Sequence, residues 1–375
     1  VDVKLKDGSV SRIGITRIHM EEDAGKSIHD QDYRDTLIDL NRAGVPLIEI
    51  VSEPDIRSSE QAGAYLTELR KVLRYLEICD GNMEEGSMRC DANISVRKKG
   101  ASEFGNRCEV KNLNSIRNVQ RAIEYEFQRQ VELVKAGEHI DQNTLNFDAA
   151  TGKTSVLRSK EMANDYRYFP EPDLPPVVLT NEYIQAIERD MPALPEQLFK
   201  RFTSEYQLTA YDANVLLDQK ELAQYFMELG THCANYKLAA NWIMGSVKSY
   251  LNEQATSIME FPIPPIQIAA IIQLIESNKI NNTSATQILF PALINNPIAN
   301  VAELAQSLNI IINTSDEDMM AFVNEVLAKY PDKVAEYKSG KKGLLGLFMG
   351  EVMKLAKGKL DPKEANKLVI AALEK

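Results

Sequence analysis

Two segments in which polar and apolar residues alternate, within residues 84–115, constrain the fold of this chain most strongly. The polar positions are Arg89, Asp91, Asn93 and Ser95 in the first segment and Glu109 and Lys111 in the second. Alternation with a period of two predicts two strands, each with one buried face. The intervening sequence KKGASEFGN predicts a hairpin that sets the polar faces side by side.

This polar face has two interpretations. Mixed charge on a sheet face, backed by apolar residues, suits a site for a charged, metal-chelated ligand. A pair of strands exposed on an antiparallel sheet explains the same pattern equally well.

The segment VPLIEIVSEPD places a carboxylate, Glu49, inside an apolar strand. Desolvating an unpaired carboxylate costs several kcal/mol. We therefore expect Glu49 to face a cation, a metal or a wet cavity. A buried ion pair with an arginine such as Arg42 is the structural alternative, and we favour the site.

Further strands and two helices are predicted around these segments. The turn Asp7-Gly8 predicts an N-terminal hairpin, and the next strand runs into the acidic residues Glu21, Glu22 and Asp23. Residues 144–158 predict another hairpin. Apolar positions at helical spacing predict one amphipathic helix over 59–78, capped by Ser59, and a second from Ser115 to Gly137. Strands with helices laid on one face indicate an α+β domain.

The remainder of the chain has a different character. Residues 158–179, which include Arg158 and Arg167, combine charge, aromatics and four prolines. This segment is expected either to hold a fixed shape beside the site or to connect two domains. From residue 181 onward the periodicity is helical and ends in a three-helix tail.

Charge is distributed unevenly along the chain. A net charge of −11 excludes a uniformly basic nucleic-acid binder. Residues 329–375, however, hold eleven lysines against six acidic residues, a local net charge of +5. The lysines that flank its apolar stripe are Lys341, Lys342, Lys354, Lys357 and Lys359. This pattern predicts contact with a polyanion, although a solvated helical face also explains it.

Cysteine usage and hydropathy indicate the compartment. The four cysteines have no paired spacing, which predicts reduced core thiols and a cytoplasmic protein. No apolar run approaches the roughly 20 residues of a membrane span. Because Val1 lies inside a predicted strand, we expect that an N-terminal piece is missing.

Five motifs in a fixed order resemble a known family. The motifs are HMEEDAGK, RAGVPLIEIVSEPD, EGSMRCDANISV, CEVKNLNS and DYRYFPEPDLPP. Together they resemble the B-subunit family of the aspartyl/glutamyl-tRNA amidotransferases, and the helical region and the GLLGLFMGEVMK tail resemble that family's linker and tail modules. The resemblance implies a catalytic cradle domain with an antiparallel sheet over residues 1–190, an all-α linker domain over 191–305 and an all-α tRNA-binding tail over 306–375. The family's usual N-terminal segment, with its Glu/His metal-binding motif, is expected to lie outside this chain.

The resemblance also implies an activity. The family works as a cytosolic heterotrimer with an amidase (the A subunit) and a small third protein (the C subunit), and it amidates misacylated Glu-tRNA(Gln) or Asp-tRNA(Asn). The B subunit holds the tRNA and uses ATP and Mg²⁺ to phosphorylate the side-chain carboxylate, which ammonia from the amidase then attacks. This chain has no Ser-Ser-Lys amidase signature and no Cys/His nucleophile pair, so the ammonia must come from elsewhere.

The implied chemistry assigns a role to each polar residue. A carboxylate that attacks the γ-phosphate is repelled by it, so metal ions and cations must neutralise the phosphate oxygens. The expected metal ligands are Glu22, Glu49 and Glu85, with Asp91, Glu21 or His19 as further candidates. The expected catalytic groups are Asp91, Arg89, Lys111 and Glu109, of which Arg89 and Lys111 clamp phosphate or the substrate carboxylate. The residues expected to bind ATP are Asn93, Asn112, Arg158 and Arg167. The five tail lysines are expected to contact the tRNA backbone away from the acceptor end.

Two other classes of protein stay open. One is an ATP-dependent carboxylate–amine ligase that acts on a small molecule without RNA. The other is a non-enzymatic RNA-binding scaffold. The order of the motifs favours the amidotransferase over both.

Overall fold

The computed structural model describes residues 1–29, 31–159, 172–312, 316–355 and 362–374. The chain forms two compact units, Val1–Pro195 and Glu196–Lys375. Strands lie in the first unit and the second is helical, so the predicted α+β class is confirmed. No helix within the described ranges is both long enough and apolar enough to cross a membrane.

The first unit contains the strands β1 (Asp2–Lys4), β2 (Val10–Arg12), β3 (Ile15–Glu22), β4 (Lys26–Ile28), β5 (Leu37–Asp39), β6 (Pro46–Ser52), β7 (Cys90–Ile94), β8 (Cys108–Leu113), β9 (Asn143–Asp148) and β10 (Lys153–Ser159). Strands β1 and β2, β3 and β6, and β4 and β5 form three antiparallel pairs. The remaining strands form one sheet in the order β10–β9–β8–β7. The hairpins predicted at Asp7-Gly8, within 84–115 and over 144–158 are therefore confirmed.

The four-stranded sheet is mixed, although the sequence predicts an antiparallel one. Strands β7 and β8 are antiparallel, as are β9 and β10, but β8 and β9 run parallel. Helix α2 (Ile116–Ala136) connects β8 to β9. A crossover of this length returns the chain to the end of the sheet at which β8 begins, so β9 runs parallel to β8.

Local hydrogen bonds fix the ends of the two helices on the sheet. Helix α1 (Ser59–Tyr75) is capped by Ser58 rather than by the predicted Ser59, because Ser58 has an extended backbone and its hydroxyl accepts from the Gln61 amide. Helix α2 begins and ends as predicted. The Ser115 hydroxyl accepts from the Asn118 amide at 3.1 Å, and Gly137 ends the helix at φ +78°.

The core of the first unit is formed by residues of the four-stranded sheet, of these two helices and of the β1–β2 hairpin. Its fully buried members include Val3, Ile13, Cys108, Val110 and Ala122. The helical spacing of apolar residues in α2 places Phe127 on the buried side, and this prediction is wrong, because Phe127 is 45% exposed whereas Glu126 and Gln130 are fully buried.

The second unit is helical throughout its described residues, as the periodicity after residue 181 predicts. Helix α3 (Asn181–Asp190) ends the first unit. The next helices are α4 (Pro195–Ser204), α5 (Ala210–Leu216), α6 (Lys220–His232), α7 (Tyr236–Trp242), α8 (Lys248–Gln254), α9 (Pro265–Glu276), α10 (Asn282–Ser284), α11 (Phe290–Asn295) and α12 (Val301–Ser307). Two π-turns, Ile243–Val247 and Ala285–Leu289, join α7 to α8 and α10 to α11. Trp242, at the end of α7, is buried.

The tail contains more helices than the predicted three. Its described residues form α13 (Asp316–Lys329), α14 (Pro331–Lys338), α15 (Leu345–Leu355) and α16 (Pro362–Glu374). Pro331 starts a separate helix directly after α13, because proline fits the first turn of a helix but not its interior. Phe348 and Val352 are buried in a local core with side chains of the other three helices.

Candidate functional site

The polar face of β7 and β8 is organised by a β-bulge. Cys90 pairs with Leu113 and Ala92 with Val110, so Asp91 alone lies opposite two residues, Lys111 and Asn112. Asn112 has φ +65°, a left-handed conformation that is uncommon for residues other than glycine. Bulges re-aim side chains and occur often beside active sites.

Lys111 lies at the centre of this face. Its Nζ donates to Asp91 Oδ2 and lies 3.5 Å from Glu109 Oε1. Burial by itself would lower the pKa of Lys111, but the hydrogen bonds and charges of Asp91 and Glu109 outweigh it and raise the pKa. The ammonium therefore stays charged at neutral pH and is held between two carboxylates. Thr144 is fully buried on β9, and its Oγ1 donates to Glu109 Oε2 at 3.2 Å.

The acidic end of β3 is linked to the same hairpin by Asp23. Its Oδ2 accepts from Arg42 Nε at 2.7 Å and lies 3.7 Å from Arg89 Nη2. The hydrogen bond from Arg42 holds the pKa of Asp23 below its ordinary value, with a smaller contribution from the charge of Arg89. The structure thus brings Arg89 towards the acidic strand end that also carries Glu22.

The environment of Glu49 differs from the expected buried strand. Its side chain is 50% exposed, so the premise of burial is wrong, but it pairs with Arg17 at 3.4 Å and therefore faces a cation, as expected. The alternative pairing with Arg42 is also wrong, since Arg42 binds Asp23. Glu49 lies opposite His19 across the β3–β6 ladder, and Glu22 lies opposite Pro46.

The other predicted residues are dispersed or lie outside the described part. Glu85 is exposed in the turn before β7, and Asn93 is exposed opposite Glu109. Arg158 pairs through its backbone with Thr144, and its side chain is not described. Arg167, Lys357 and Lys359 lie outside the described residues.

The described side chains offer Mg²⁺ oxygen ligands without a closed cage. Among these residues, no three His, Cys, Asp or Glu side chains converge as a metal-holding group. Mg²⁺ keeps several waters and needs only one or two carboxylates together with substrate phosphates. Glu22, Glu49 and Glu85 are exposed carboxylates, so each has the donor chemistry for this open mode of binding. Glu49 shares a face of the β3–β6 ladder with His19, whereas Glu22 lies on the opposite face, so these two do not converge on one ion.

The cysteines take no part in this site. All four are free, and burial raises the pKa of the Cys90 thiol to about 12. A thiol with such a pKa carries almost no thiolate at neutral pH and is a poor nucleophile. The prediction of reduced structural cysteines is consistent with these environments.

The basic tail presents three of its predicted lysines at the surface. Lys341 pairs with Glu336 at 3.1 Å, and the Lys342 ammonium lies 4.2 Å from the centroid of the Tyr337 ring. Lys354 is exposed near the end of α15.

Sequence reasoning missed the two residues that hold the site groups in place. In the sequence, Asp23 is recognisable only as part of an acidic strand end, and Thr144 only as part of a hairpin. The neighbouring acids Glu21 and Glu22 gave no reason to single out Asp23. The parallel register that sets Thr144 beside Glu109 depends on the crossover through α2.

Comparison with known proteins assigns both units. Residues 1–185 match the family model described as the GatB/GatE catalytic domain, and residues 224–373 match the one described as the GatB domain. A protein of Thermodesulfovibrio yellowstonii is 45% identical over 370 residues, which cover 99% of this chain and 77% of that protein. A protein of Thermosynechococcus vestitus is 48% identical, over 96% of this chain and 73% of its own length. A protein of Granulibacter bethesdensis is 47% identical over 376 residues, which cover 100% of this chain and 76% of that protein. Each of the three is named as the B subunit of an aspartyl/glutamyl-tRNA(Asn/Gln) amidotransferase.

Proposed function

The chain belongs to the GatB/GatE family, and from this premise we propose that it is the subunit of a tRNA-dependent amidotransferase that activates the amino acid for amidation. In the proposed reaction, ATP and Mg²⁺ serve to phosphorylate the side-chain carboxylate of Glu-tRNA(Gln) or Asp-tRNA(Asn). An amidase (the A subunit) then supplies the ammonia, and a small third protein (the C subunit) completes the complex. The observation that supports this proposal best is the set of Asp91, Lys111 and Glu109 on the polar face of the sheet, within the region that matches a catalytic domain.

The side chains of the site suit the charge changes of this reaction. Lys111 and Arg89 place positive charge where phosphate oxygens and the substrate carboxylate approach each other, which lowers their repulsion. Asp91 and Glu109 hold the Lys111 ammonium in one position, and Asn93 and Asn112 orient water or the nucleotide by hydrogen bonds. Glu22, Glu49 and Glu85 would each offer a carboxylate to Mg²⁺, which when bound neutralises phosphate charge. Glu22 and Glu49 would not hold the same ion, because they lie on opposite faces of the β3–β6 ladder.

The three-domain division fits the same proposal. Residues 1–190 would form the catalytic cradle, residues 191–305 the linker domain and residues 306–375 the tail that binds tRNA. The local core of the tail helices supports treating the last segment as a module.

The decisive experiment measures ATP hydrolysis by the chain assembled with the amidase and the small third protein. Misacylated tRNA should stimulate hydrolysis at least about tenfold, equivalent to about 1.4 kcal/mol of barrier, whereas correctly amidated tRNA should not. Glu49→Ala should abolish the stimulation and leave tRNA binding intact, and Glu132→Ala on the exposed side of α2 serves as the matched control. RNA-independent hydrolysis would instead indicate a small-molecule ligase. Binding of tRNA without any hydrolysis would indicate a scaffold.

A separate prediction concerns the basic tail. Changing Lys341, Lys342 and Lys354 together to Gln should weaken tRNA binding and reduce the slope of log affinity against log salt by about two to three, since each phosphate contact releases counterions. Binding measured from about 50 to 200 mM salt tests this expectation. The control changes Lys135, Lys248 and Lys279, which lie outside the tail. Equal slopes for the two triple variants would contradict the role of the tail.

A further inference from the structure

The loop that joins β7 to β8 is longer than a hairpin requires. It covers residues 95–107, which is 13 residues, whereas hairpin loops usually have about 2–5. It carries four cations, Arg97, Lys98, Lys99 and Arg107, against one acid, Glu103, in a chain of net charge −11. Long ordered loops in compact domains commonly carry function, and concentrated positive charge on an acidic protein indicates an anionic partner.

The cations of this loop are not neutralised by the protein. Within the described ranges, neither the four loop cations nor the neighbouring Arg57 forms an ion pair with a carboxylate. Arg17, Arg42 and Arg89 of the same unit each pair with one. The loop therefore keeps its charge available to a ligand.

An exposed aromatic ring lies among these cations. Phe104 is 54% exposed, with the Arg97 guanidinium 4.7 Å and the Arg57 guanidinium 6.0 Å from its ring centroid. Exposed aromatic rings combined with arginines are typical of surfaces on which unpaired RNA bases stack while cations follow the phosphates. An anion without an aromatic ring, such as inorganic phosphate, needs the cations but gives no reason for the exposed Phe104 ring.

The loop is held in shape before any ligand binds. Arg97 Nη1 donates to the Ser102 carbonyl at 2.7 Å, and Asn106 Nδ2 donates to the Ile140 carbonyl at 3.0 Å. A Cβ at Gly105 would lie 2.1 Å from the Val96 carbonyl oxygen, so only glycine permits the two sides of the loop to approach this closely. A pre-ordered loop loses less conformational entropy when it binds.

The loop and the candidate site occupy the same hairpin. Arg107 precedes Lys111 by four residues, or about 13 Å along an extended strand. We propose that residues 95–107, together with Arg57, bind the acceptor end of the tRNA, with the cations on its phosphates and Phe104 against an unpaired base near the 3′ terminus. This inference rests on the proposed function, because it takes the aminoacylated terminus to lie at Lys111.

Two variants of the full chain test the two parts of the contact. The probe is an acceptor-stem minihelix RNA, prepared with an unpaired 3′ end and as a blunt duplex. Lys98→Gln/Lys99→Gln should weaken binding of both RNAs and reduce the salt slope by about two. Phe104→Leu should weaken binding of only the RNA with the unpaired end, by a factor of about five to one hundred. The control, Lys135→Gln/Lys153→Gln, removes two exposed lysines elsewhere in the unit and should change neither affinity.

The outcomes separate this inference from the proposed function. If the wild-type chain binds the minihelix and both loop variants bind it equally well, the loop proposal is wrong and the amidotransferase function stands. If the wild-type chain binds no tRNA and its ATP hydrolysis is not stimulated, the proposed function itself fails. Loss of binding to the amidase in the loop variants, with RNA binding retained, would show a protein interface and overturn the proposal.

Discussion

Replacing Lys111 with Met should lower the rate of tRNA-dependent ATP hydrolysis by a factor of about 10²–10³, the usual effect of removing one group that stabilises developing charge. The substitution keeps an unbranched side chain that is one atom shorter and removes its charge. Asp91 and Glu109 would then lie on the face without the cation that both contact, and their charges would oppose the approach of phosphate. Steady-state hydrolysis with saturating misacylated tRNA measures the effect.

The affinity for tRNA serves as the internal reference for this variant. It should change by less than about twofold, because many phosphate contacts elsewhere supply most of the affinity for the tRNA backbone. The control is Arg12→Gln, which breaks the exposed ion pair with Asp2 at 2.8 Å in the same unit. Exposed pairs contribute about 0–1 kcal/mol, so the control should retain full activity. Hydrolysis by the Lys111 variant within about threefold of wild type would exclude the role given to its charge.

The pH dependence follows from the direction of the Lys111 shift. Because Asp91 and Glu109 raise the pKa of Lys111 above its unfolded value, the folding energy that this ammonium contributes is present below about pH 10.4. It is lost only as the pH rises through the raised pKa. Deprotonation of Lys111 should therefore cause no loss of wild-type activity or stability between about pH 7 and about pH 9, which a pH profile of hydrolysis and of thermal unfolding measures.

The sequence predicted the strands and helices whose signals are local. The alternation around Asp91 and around Lys111 requires only a few consecutive residues, and the structure confirms both strands and their pairing. The helix from Ser115 to Gly137 was predicted to the residue, because a capping hydroxyl and a left-handed glycine act within one turn of the helix ends.

The predictions that failed depend on partners distant in the sequence. The apolar run around Glu49 suggested burial, but β6 pairs with β3 in a two-stranded sheet and Glu49 stays half exposed. Nothing near Arg42 in the sequence indicates that it binds Asp23. The mixed character of the central sheet similarly depends on the crossover through α2 and on no single motif.

The largest effect on stability is expected from Glu126, a buried carboxylate that the sequence pattern did not reveal. Its side chain is fully buried and accepts from Arg129 Nη2 at 2.6 Å, from Gln130 Nε2 at 2.8 Å and from Thr154 Oγ1 at 3.1 Å. Gln130 also donates to the Ile94 carbonyl at 3.0 Å. The network thus ties α2 to β7 at one edge of the sheet and to β10 at the other.

Glu126→Ala should reduce the free energy of unfolding of the unit Val1–Pro195 by about 3 kcal/mol. The loss arises because Arg129, Gln130 and Thr154 would each lose the carboxylate to which they donate. Arg129 is one-third exposed and can still reach water, so the loss falls at the lower end of the range for buried pairs. The melting temperature should fall by about 6–12 °C. Thermal or urea unfolding followed by circular dichroism measures both quantities.

Two further variants of α2 separate the buried network from helix propensity. Glu132→Ala changes an exposed residue of the same helix and should shift stability by less than about 0.5 kcal/mol. Glu126→Gln preserves the shape but removes the charge that Arg129 requires, so its stability should lie between wild type and the alanine variant. Equal stability of the Glu126 and Glu132 alanine variants would mean that the network does not support the sheet. In that case the position of Lys111 would depend on the strand ladder and Thr144 alone.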